Sequence, residues 1–359
     1  MLDKVQAGCL TVFIVTQFSL DSLYSPLLLV GWIGLGAAVV CSYISTDTID
    51  RPRWVFGALI VLQISQLGGI AGAVVWGTGN WVLTAGAAGW ALPMPLVYLA
   101  ANHRAGYYVS AFAAVHAVWI IVQGFSNYHI EKGVPVWEGS ITGFSHNENL
   151  AAGLLVMCLA FTVTSGWRWV SVPLFAATVL TGSRWAFIVI VMVIALMGFS
   201  RTIPLRWVLV GAASLVATVI AMEIFTPTTA AVAGSHNVAY IVTVLSELGV
   251  RLSPAGWPNL LPYGLAETDG LHNVPMRIAA EYGIIAAVTW VSLTVWALGR
   301  LRYTPAWWLM LVIVLLSMLD HYTWRPHLMG LWFLALGLLA ARTSGGDPVP
   351  GEIIAKGPI

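Results

Sequence analysis

The chain has 359 residues, a formal net charge of +1, 59% hydrophobic residues and 9% charged residues. A soluble domain typically carries about 25% charged residues, so this composition excludes the ordinary soluble classes. The near-zero net charge excludes the strongly basic footprint of a nucleic-acid-binding protein, and no nucleic acid is expected as a partner. The composition therefore predicts an all-α polytopic membrane protein.

Apolar segments recur along the chain, separated by turns that contain Pro, Gly and Asn. Because a bilayer span needs about 20 apolar residues, the pattern predicts a single transmembrane bundle of about 12 helices over residues 1–342. A disordered cytoplasmic tail is expected over 343–359. Two long connections, 125–148 and 226–272, are predicted to be external loops with short interfacial helices. The predicted spans lie near 5–20, 26–44, 54–76, 81–100, 106–124, 149–165, 167–181, 184–199, 206–225, 277–299, 305–319 and 323–341.

The N-terminal apolar segment follows a single lysine, Lys4, and shows no plausible cleavage site. It is therefore interpreted as a first span and not as a removed signal peptide. The three cysteines Cys9, Cys41 and Cys158 lie inside apolar segments without a C-x-x-C spacing. They are interpreted as packing residues, because neither a disulfide framework nor a zinc site is indicated.

Basic residues are distributed unequally when alternate connections are assigned to opposite sides. Eleven fall on the side of the N-terminus, which predicts that both termini are cytoplasmic by the positive-inside rule. These are Lys4, Arg51, Arg53, Arg104, Arg168, Arg201, Arg206, Arg300, Arg302, Arg342 and Lys356. The other side receives five, namely Lys132, Arg184, Arg251, Arg277 and Arg325.

Polar side chains at predicted helix ends form four short segments, and the same alternation places all four on the outer side. They are "GFSHNENLA" (143–151), "TGSRWAF" (181–187), "GLHNVPMRIAAEYG" (270–283) and "LDHYTWRPH" (319–327). Charged groups at membrane depth are costly and are usually functional or paired. Four such segments on one side therefore predict one outward-facing polar site.

The first three segments also have structural explanations, which the residues alone leave open. Arg277 and Glu281 are four residues apart and can form an ion pair on one helix. Arg184 can extend to lipid headgroups. His272 can cap a helix, as can an asparagine of "HNEN".

The fourth segment has comparable alternatives. His321 and His327 can be core histidines or metal ligands, although a metal site needs more ligands than these two. The aromatic residues Tyr322 and Trp324 fit a belt at the membrane interface.

Taken together, the four segments resemble motifs of the O-antigen ligase family of polytopic glycosyltransferases. "HNVPMRIAAEYG" is similar to the family's His-Asn motif, "TGSRWAF" to its Ser-Arg helix start, and "GFSHNENLAAGLL" to its Phe-x-x-x-Asn-x-x-Ala segment. "LDHYTWRPHLMGLWFLALGLL" resembles its terminal Asp-His-Tyr-x-x-Trp helix. Order and rough spacing agree over residues 140–342. The chain differs at Ala286, where the family usually has glycine, and has no arginine in the stretch before Arg251 where members usually carry one.

The resemblance implies transfer of a glycan from a polyprenyl-diphosphate carrier to a hydroxyl of a lipid or glycan acceptor. The reaction is expected on the periplasmic or exterior face of the cytoplasmic (inner) membrane, with membrane lipids as further partners and without a cofactor or metal. The chain contains no Asp-x-Asp sequence, which agrees with a lipid-linked donor. A polysaccharide polymerase or a protein O-oligosaccharyltransferase would use the same donor, and a transporter or flippase is the alternative from another class.

The chemistry of such a donor assigns expected roles to the candidate residues. A diphosphate requires fixed cations, for which guanidinium is better suited than ammonium, so Arg184 is expected to bind it with help from Arg277 and Arg325. His272, with an ordinary pKa near 6.5, is expected to act as general base or to orient the acceptor. Glu281, about 13 Å from it along a helix, is expected to orient Arg277. The other substrate-binding candidates are Asn273, Asn149, His146, Asp320 and His321.

Overall fold

A computed structural model of the chain describes residues 1–19, 27–45, 51–76, 92–131, 134–137, 141–145, 147–204, 206, 209, 213, 273–319 and 326–341. These residues contain twelve α-helices and one short hairpin, which confirms the predicted helical class. The elements are α1 (Leu2–Phe18), α2 (Leu27–Ile44), α3 (Arg53–Trp76), α4 (Met94–Ala100), α5 (His103–Asn127), β1 (Tyr128–Glu131), β2 (Val134–Trp137), α6 (Glu148–Thr164), α7 (Arg168–Leu180), α8 (Arg184–Phe199), α9 (Val274–Tyr282), α10 (Ile284–Leu298), α11 (Pro305–Leu319) and α12 (Pro326–Ala340).

The structure corrects two predicted boundaries. The span expected at 277–299 is two helices, α9 and α10, which meet at Gly283 with a φ of 88°. Glycine adopts this left-handed backbone at no steric cost. The loop expected at 125–148 begins later, because α5 extends to Asn127, and it contains the antiparallel strands β1 and β2 in place of short helices. The loop 226–272, the tail 343–359 and most of the span 206–225 lie outside the described residues.

Two described helices, Leu27–Ile44 and His103–Ser126, are long and apolar enough to cross a membrane. Seven more are apolar but shorter, with 10–17 residues in the part described. The prediction of about 12 spans is therefore supported only for these two helices, and the remaining spans stay a prediction.

Several helices expose apolar side chains on their outer faces. On α10, Ile285, Val288 and Val295 are 64%, 58% and 64% exposed. On α5, Val115 and Val118 are exposed in the same way, one helical turn apart. Continuous apolar stripes on several outer faces are unusual for a soluble monomer and mark surfaces that contact lipid or another protein.

The short helix α4 joins three other segments through its last carbonyl groups. The Gln6 amide of α1 donates to the Ala100 carbonyl at 2.9 Å, and the Ser42 hydroxyl of α2 donates to the Leu99 carbonyl at 3.2 Å. The Arg51 guanidinium, just before α3, donates to the Ala101 carbonyl. The last carbonyls of a helix have no intrahelical partner, so these side chains supply the missing hydrogen bonds. Burial lowers the pKa of Arg51 to about 10, which leaves it charged at neutral pH.

Further helix ends meet on the same side of the bundle. Tyr107 near the start of α5 packs against Phe161 near the end of α6, with ring centroids 5.4 Å apart. The Trp307 indole of α11 donates to the Leu298 carbonyl at the end of α10 at 2.7 Å. Trp54 of α3 packs on Trp296 of α10. We call this side the arginine end, because the described residues Arg51, Arg53, Arg104, Arg168, Arg300 and Arg302 lie at its helix ends.

Glycine allows α12 to approach α4 closely at the arginine end. A Cβ added at Gly337 would lie 2.7 Å from the Tyr98 carbonyl oxygen, which belongs to the backbone and cannot rotate away. Gly36 on α2, by contrast, has no atom within 4 Å of such a Cβ.

Gly337→Ala is expected to destabilise the protein by about 1–3 kcal/mol, the typical cost of overpacking a close-packed interior. The measurement is the thermal unfolding midpoint of the purified variant. Gly36→Ala is the matched control and is expected to leave the midpoint within a degree or two of the original protein. Equal midpoints for the two variants would contradict the close helix contact.

Candidate functional site

The helices α6 and α8 are joined at their first residues by one side-chain hydrogen bond. The Ser183 hydroxyl, at the N-cap position of α8, donates to the Asn149 Oδ1 of α6 at 2.7 Å. Ser183 is buried and Asn149 is half-buried. This contact brings together two of the four polar segments identified in the sequence, 143–151 and 181–187.

Of the two asparagines at the start of α6, one caps the helix and the other contacts α8. Asn147 is the N-cap of α6, and its Oδ1 accepts hydrogen bonds from the backbone N–H groups of Asn149 and Leu150. Because Asn147 does the capping, the Asn149 side chain is available for the contact with α8. The cap expected at Asn147 or Asn149 is therefore Asn147, and Asn149 has a tertiary partner.

The segment before α6 is held against α5 by two polar side chains, the buried His116 and the half-buried Gln123. The Phe144 backbone N–H donates to His116 Nδ1 at 3.1 Å, and the Gly143 N–H donates to Gln123 Oε1 at 2.7 Å. Gly143 has a φ of 63°, which glycine accommodates without strain. These contacts fix the approach of the chain to Asn147 and hence the start of α6.

The third polar segment contacts the residue directly before the fourth. Asn273 caps α9 by accepting the Met276 N–H, and its Nδ2 donates to the Met318 carbonyl near the end of α11 at 3.4 Å. The segment 270–283 thus lies beside the start of 319–327. The N-cap of α9 is Asn273, one residue after the predicted cap His272.

The two pairs of segments lie at one end of the bundle, which we call the motif end and define by Asn149, Ser183, Asn273, Met318 and Leu328. A Cβ added at Gly153 would lie 2.8 Å from Leu328 Cδ1, so the starts of α6 and α12 are in contact. The helix α11 packs against α6, α8, α9 and α12 and ends here. Since α11 begins at the arginine end and α6 ends there, the motif end is the opposite side of the bundle.

Positive electrostatic character at the motif end is local to individual helix starts. The helices α2, α6, α8, α9 and α12 begin at this end, whereas α1, α3, α5, α7 and α11 end here, so the partial charges of the termini offset one another over the whole end. Each helix N-terminus carries a partial positive charge and exposes backbone N–H groups, which favours bound anions. The N-cap residue of α8, Ser183, makes no side-chain capping bond to that helix, and its hydroxyl donates to Asn149.

Among the predicted basic residues, Arg277 lies in the second turn of α9 and its side chain is only 2% exposed. A buried guanidinium must be compensated by acceptors or anions. Arg184 is the first residue of α8, directly after Ser183. The backbone of Glu281 lies in the last turn of α9. The predicted ion pair between Arg277 and Glu281 stays a prediction, since only the Arg277 side chain is described.

Several predicted site residues fall outside the described part of the chain. They are His146, His272, Asp320, His321 and Arg325. The neighbouring residues Asn147, Asn273 and Leu319 are described and lie at the motif end. The roles of the five residues themselves stay predictions. His327, on α12, is half-buried.

Two polar residues on α3 were not singled out by the sequence. Gln63 and Gln66 are 6% and 0% exposed, and no described residue makes a hydrogen bond to their amide atoms. A buried amide without a partner costs about 1–3 kcal/mol. The sequence pattern could have identified them, because two glutamines three positions apart on an otherwise apolar helix lie on one face of that helix.

The direction of α3 locates these glutamines. This helix packs against α9 and α10, and Trp54 at its start contacts Trp296 near the end of α10. The two helices are therefore antiparallel. Gln66, twelve residues after Trp54, lies about 18 Å from that contact in the direction of the motif end.

Comparisons of the chain with protein-family models, curated proteins and solved structures found no match. The assignment of a function therefore depends on the four sequence segments and on the geometry of the motif end.

Proposed function

We propose that this chain is a polytopic protein of the cytoplasmic membrane and a glycosyltransferase similar to the O-antigen ligases. It transfers a glycan from a polyprenyl-diphosphate carrier to a hydroxyl of a lipid or glycan acceptor at the motif end. The observation that carries the proposal is the proximity of the described parts of the resembling segments at that end. It rests on the bond of Ser183 to Asn149, the contact of Leu328 with the position of Gly153, and the bond of Asn273 to Met318, directly before the fourth segment.

The membrane location is supported by two long apolar helices and by the apolar outer faces of α5 and α10. Orientation is supported by the position of the arginines. The described arginines Arg51, Arg53, Arg104, Arg168, Arg201, Arg300 and Arg302 lie at the arginine end, which under the positive-inside rule faces the cytoplasm. The motif end then faces the periplasm or the cell exterior.

The proposed diphosphate site is the start of α8. Arg184 occupies the first position of this 16-residue helix, whose N-cap side chain is engaged elsewhere. A guanidinium combined with helix N–H groups can bind a diphosphate without a metal. The buried Arg277 on α9 and Arg325 before α12 are proposed to add positive charge.

The proposed reaction is a direct displacement at the anomeric carbon. The acceptor oxygen forms the glycosidic bond as the bond between the anomeric carbon and the diphosphate oxygen breaks, and the electron pair stays on the diphosphate. His272, directly before the α9 cap Asn273, takes the hydroxyl proton. Stabilisation of the charge developing on the leaving diphosphate supplies most of the rate enhancement.

Arg184→Ala is expected to lower glycan transfer in membranes by about 100-fold or more, a loss typical for removal of one group that stabilises developing charge. The measurement is the rate at which a lipid-diphosphate-linked glycan is consumed and the acceptor modified. Arg53→Ala at the arginine end is the matched control and is expected to be fully active. Normal transfer by the Arg184 variant would remove the diphosphate assignment.

Ser183→Ala is expected to lower the maximal rate about fivefold, because loss of one hydrogen bond of roughly 1 kcal/mol loosens the start of α8 relative to α6. Ser183→Thr keeps the hydroxyl and is expected to restore the rate. Ser200→Ala, at the other end of α8, is the control, since its hydroxyl only bonds within its own turn. A merely structural role for Ser183 would lower the yield of folded protein and leave the rate per folded molecule unchanged.

His272→Ala is expected to lower the rate by about 10²–10⁴-fold, the usual contribution of a positioned general base. In the original protein the rate should fall as pH drops through about 6.5, because the protonated imidazole cannot accept a proton. The variant should lack that dependence between pH 6 and 8, and His129→Ala should retain it. Identical pH profiles for the His272 variant and the original protein would exclude His272 as the base.

A further inference from the structure

A cavity of about 590 Å³ lies between α6, α7 and α8. Of its fifteen lining residues, thirteen are apolar, and the two polar ones are Arg168 and Ser171. The Ser171 hydroxyl is already paired with the Thr162 hydroxyl at 3.1 Å. The wall is therefore apolar apart from a single guanidinium.

The cavity belongs to the arginine end. Its lining includes Val163 in the last turn of α6, Val172 in the first half of α7 and Met197 near the end of α8. The distance along α6 between Asn149 at the motif end and Val163 is about 20 Å. The cavity is therefore separate from the proposed donor site.

Helix packing explains why the space exists. The helix α7 packs closely against α5 and α6 but meets α8 along only a short stretch, which leaves a gap between α7 and α8. The atoms that line an empty apolar space lack dispersion contacts on the side of that space. Water is a poor occupant because the wall offers it few polar partners. A flexible hydrocarbon chain satisfies both constraints, and the volume falls within the roughly 300–1,000 Å³ of ligand sites.

The mouth of the cavity is built for an anion. Arg168 is exposed and is the first residue of α7, a helix that begins without a side-chain cap. Next to it, the Trp169 indole is 90% exposed. Exposed tryptophan beside arginine is typical of the level at which lipid headgroups lie. Two further lining residues, Ile203 and Pro204, follow a second exposed arginine, Arg201.

We propose that this cavity binds one acyl chain of an anionic phospholipid from the cytoplasmic leaflet, with the headgroup phosphate on Arg168. The guanidinium and the uncapped N-terminus of α7 supply charge complementarity, and the apolar wall supplies the burial of the chain. The inference depends on the membrane location given above but not on glycosyl transfer.

The test is native mass spectrometry of the full chain in detergent, titrated with phosphatidylglycerol or with phosphatidylcholine of the same acyl chains. Phosphatidylglycerol is expected to be retained at one molecule per chain and at least fivefold more tightly, since one basic residue near a lipid phosphate contributes about that factor. Arg168→Gln should remove this preference, whereas Arg104→Gln at the same end should keep it.

A second variant tests the cavity without altering charge. Val172 is exposed and lines the cavity, so Val172→Trp should obstruct it without disturbing the core and should reduce retention of both lipids. Val191→Trp, on the exposed face of α8 outside the cavity, is the matched control. Equal retention of the two lipids by the original protein, or equal loss in Val172→Trp and Val191→Trp, would overturn the proposal. Because the readout is lipid retention, its failure is distinguishable from a failure of glycan transfer.

Discussion

The carbonyl groups at the end of α4 organise one end of this bundle. A seven-residue helix has few internal hydrogen bonds and leaves its last carbonyls without intrahelical partners. Gln6, Ser42 and Arg51 satisfy them from three different parts of the chain, and Asn102 just after α4 donates in turn to the Asp3 carbonyl at 2.9 Å. In an apolar environment, loss of any of these donors would leave a buried carbonyl unpaired. This cluster therefore ties α1, α2 and the start of α3 to the end of α4.

The opposite end is joined by polar contacts that are partly exposed, such as that of Asn273 with the Met318 carbonyl. The starts of α6, α8 and α9 lie beside Asn149, Ser183 and Asn273, and each exposes backbone N–H groups with a partial positive charge. These helix starts can contribute to binding an anion, whereas the arginine end carries positive charge on side chains. The two ends are therefore proposed to bind the phosphate groups of two different ligands. In the proposed function, the motif end binds the diphosphate of a glycan donor, and the arginine end binds the headgroup of a membrane phospholipid beside the cavity at Arg168.

The stacked tryptophans Trp290 and Trp332 connect these ends through the middle of the bundle. Their ring centroids are 5.9 Å apart, and the Trp332 indole donates to the Thr294 hydroxyl at 3.1 Å. Thr294 in turn donates to the Trp290 carbonyl one turn earlier on α10. This packing fixes α10 against α12. Since α10 follows α9 directly after Gly283, it also determines where the buried Arg277 lies relative to the start of α12.

Sequence alone determined the helical class, most helix boundaries and the four polar segments, because apolar length and turn residues such as Gly166 and Asn147 act locally. It also indicated that Asn147 or Asn149 would cap α6. Only the tertiary structure decided that Asn149 instead accepts the Ser183 hydroxyl of a helix 34 residues away. The break at Gly283, the burial of Gln63 and Gln66, and the cavity behind Arg168 were likewise decided by packing. Each depends on which faces of distant helices meet, and side-chain periodicity within one helix carries no information about the neighbour that will cover it.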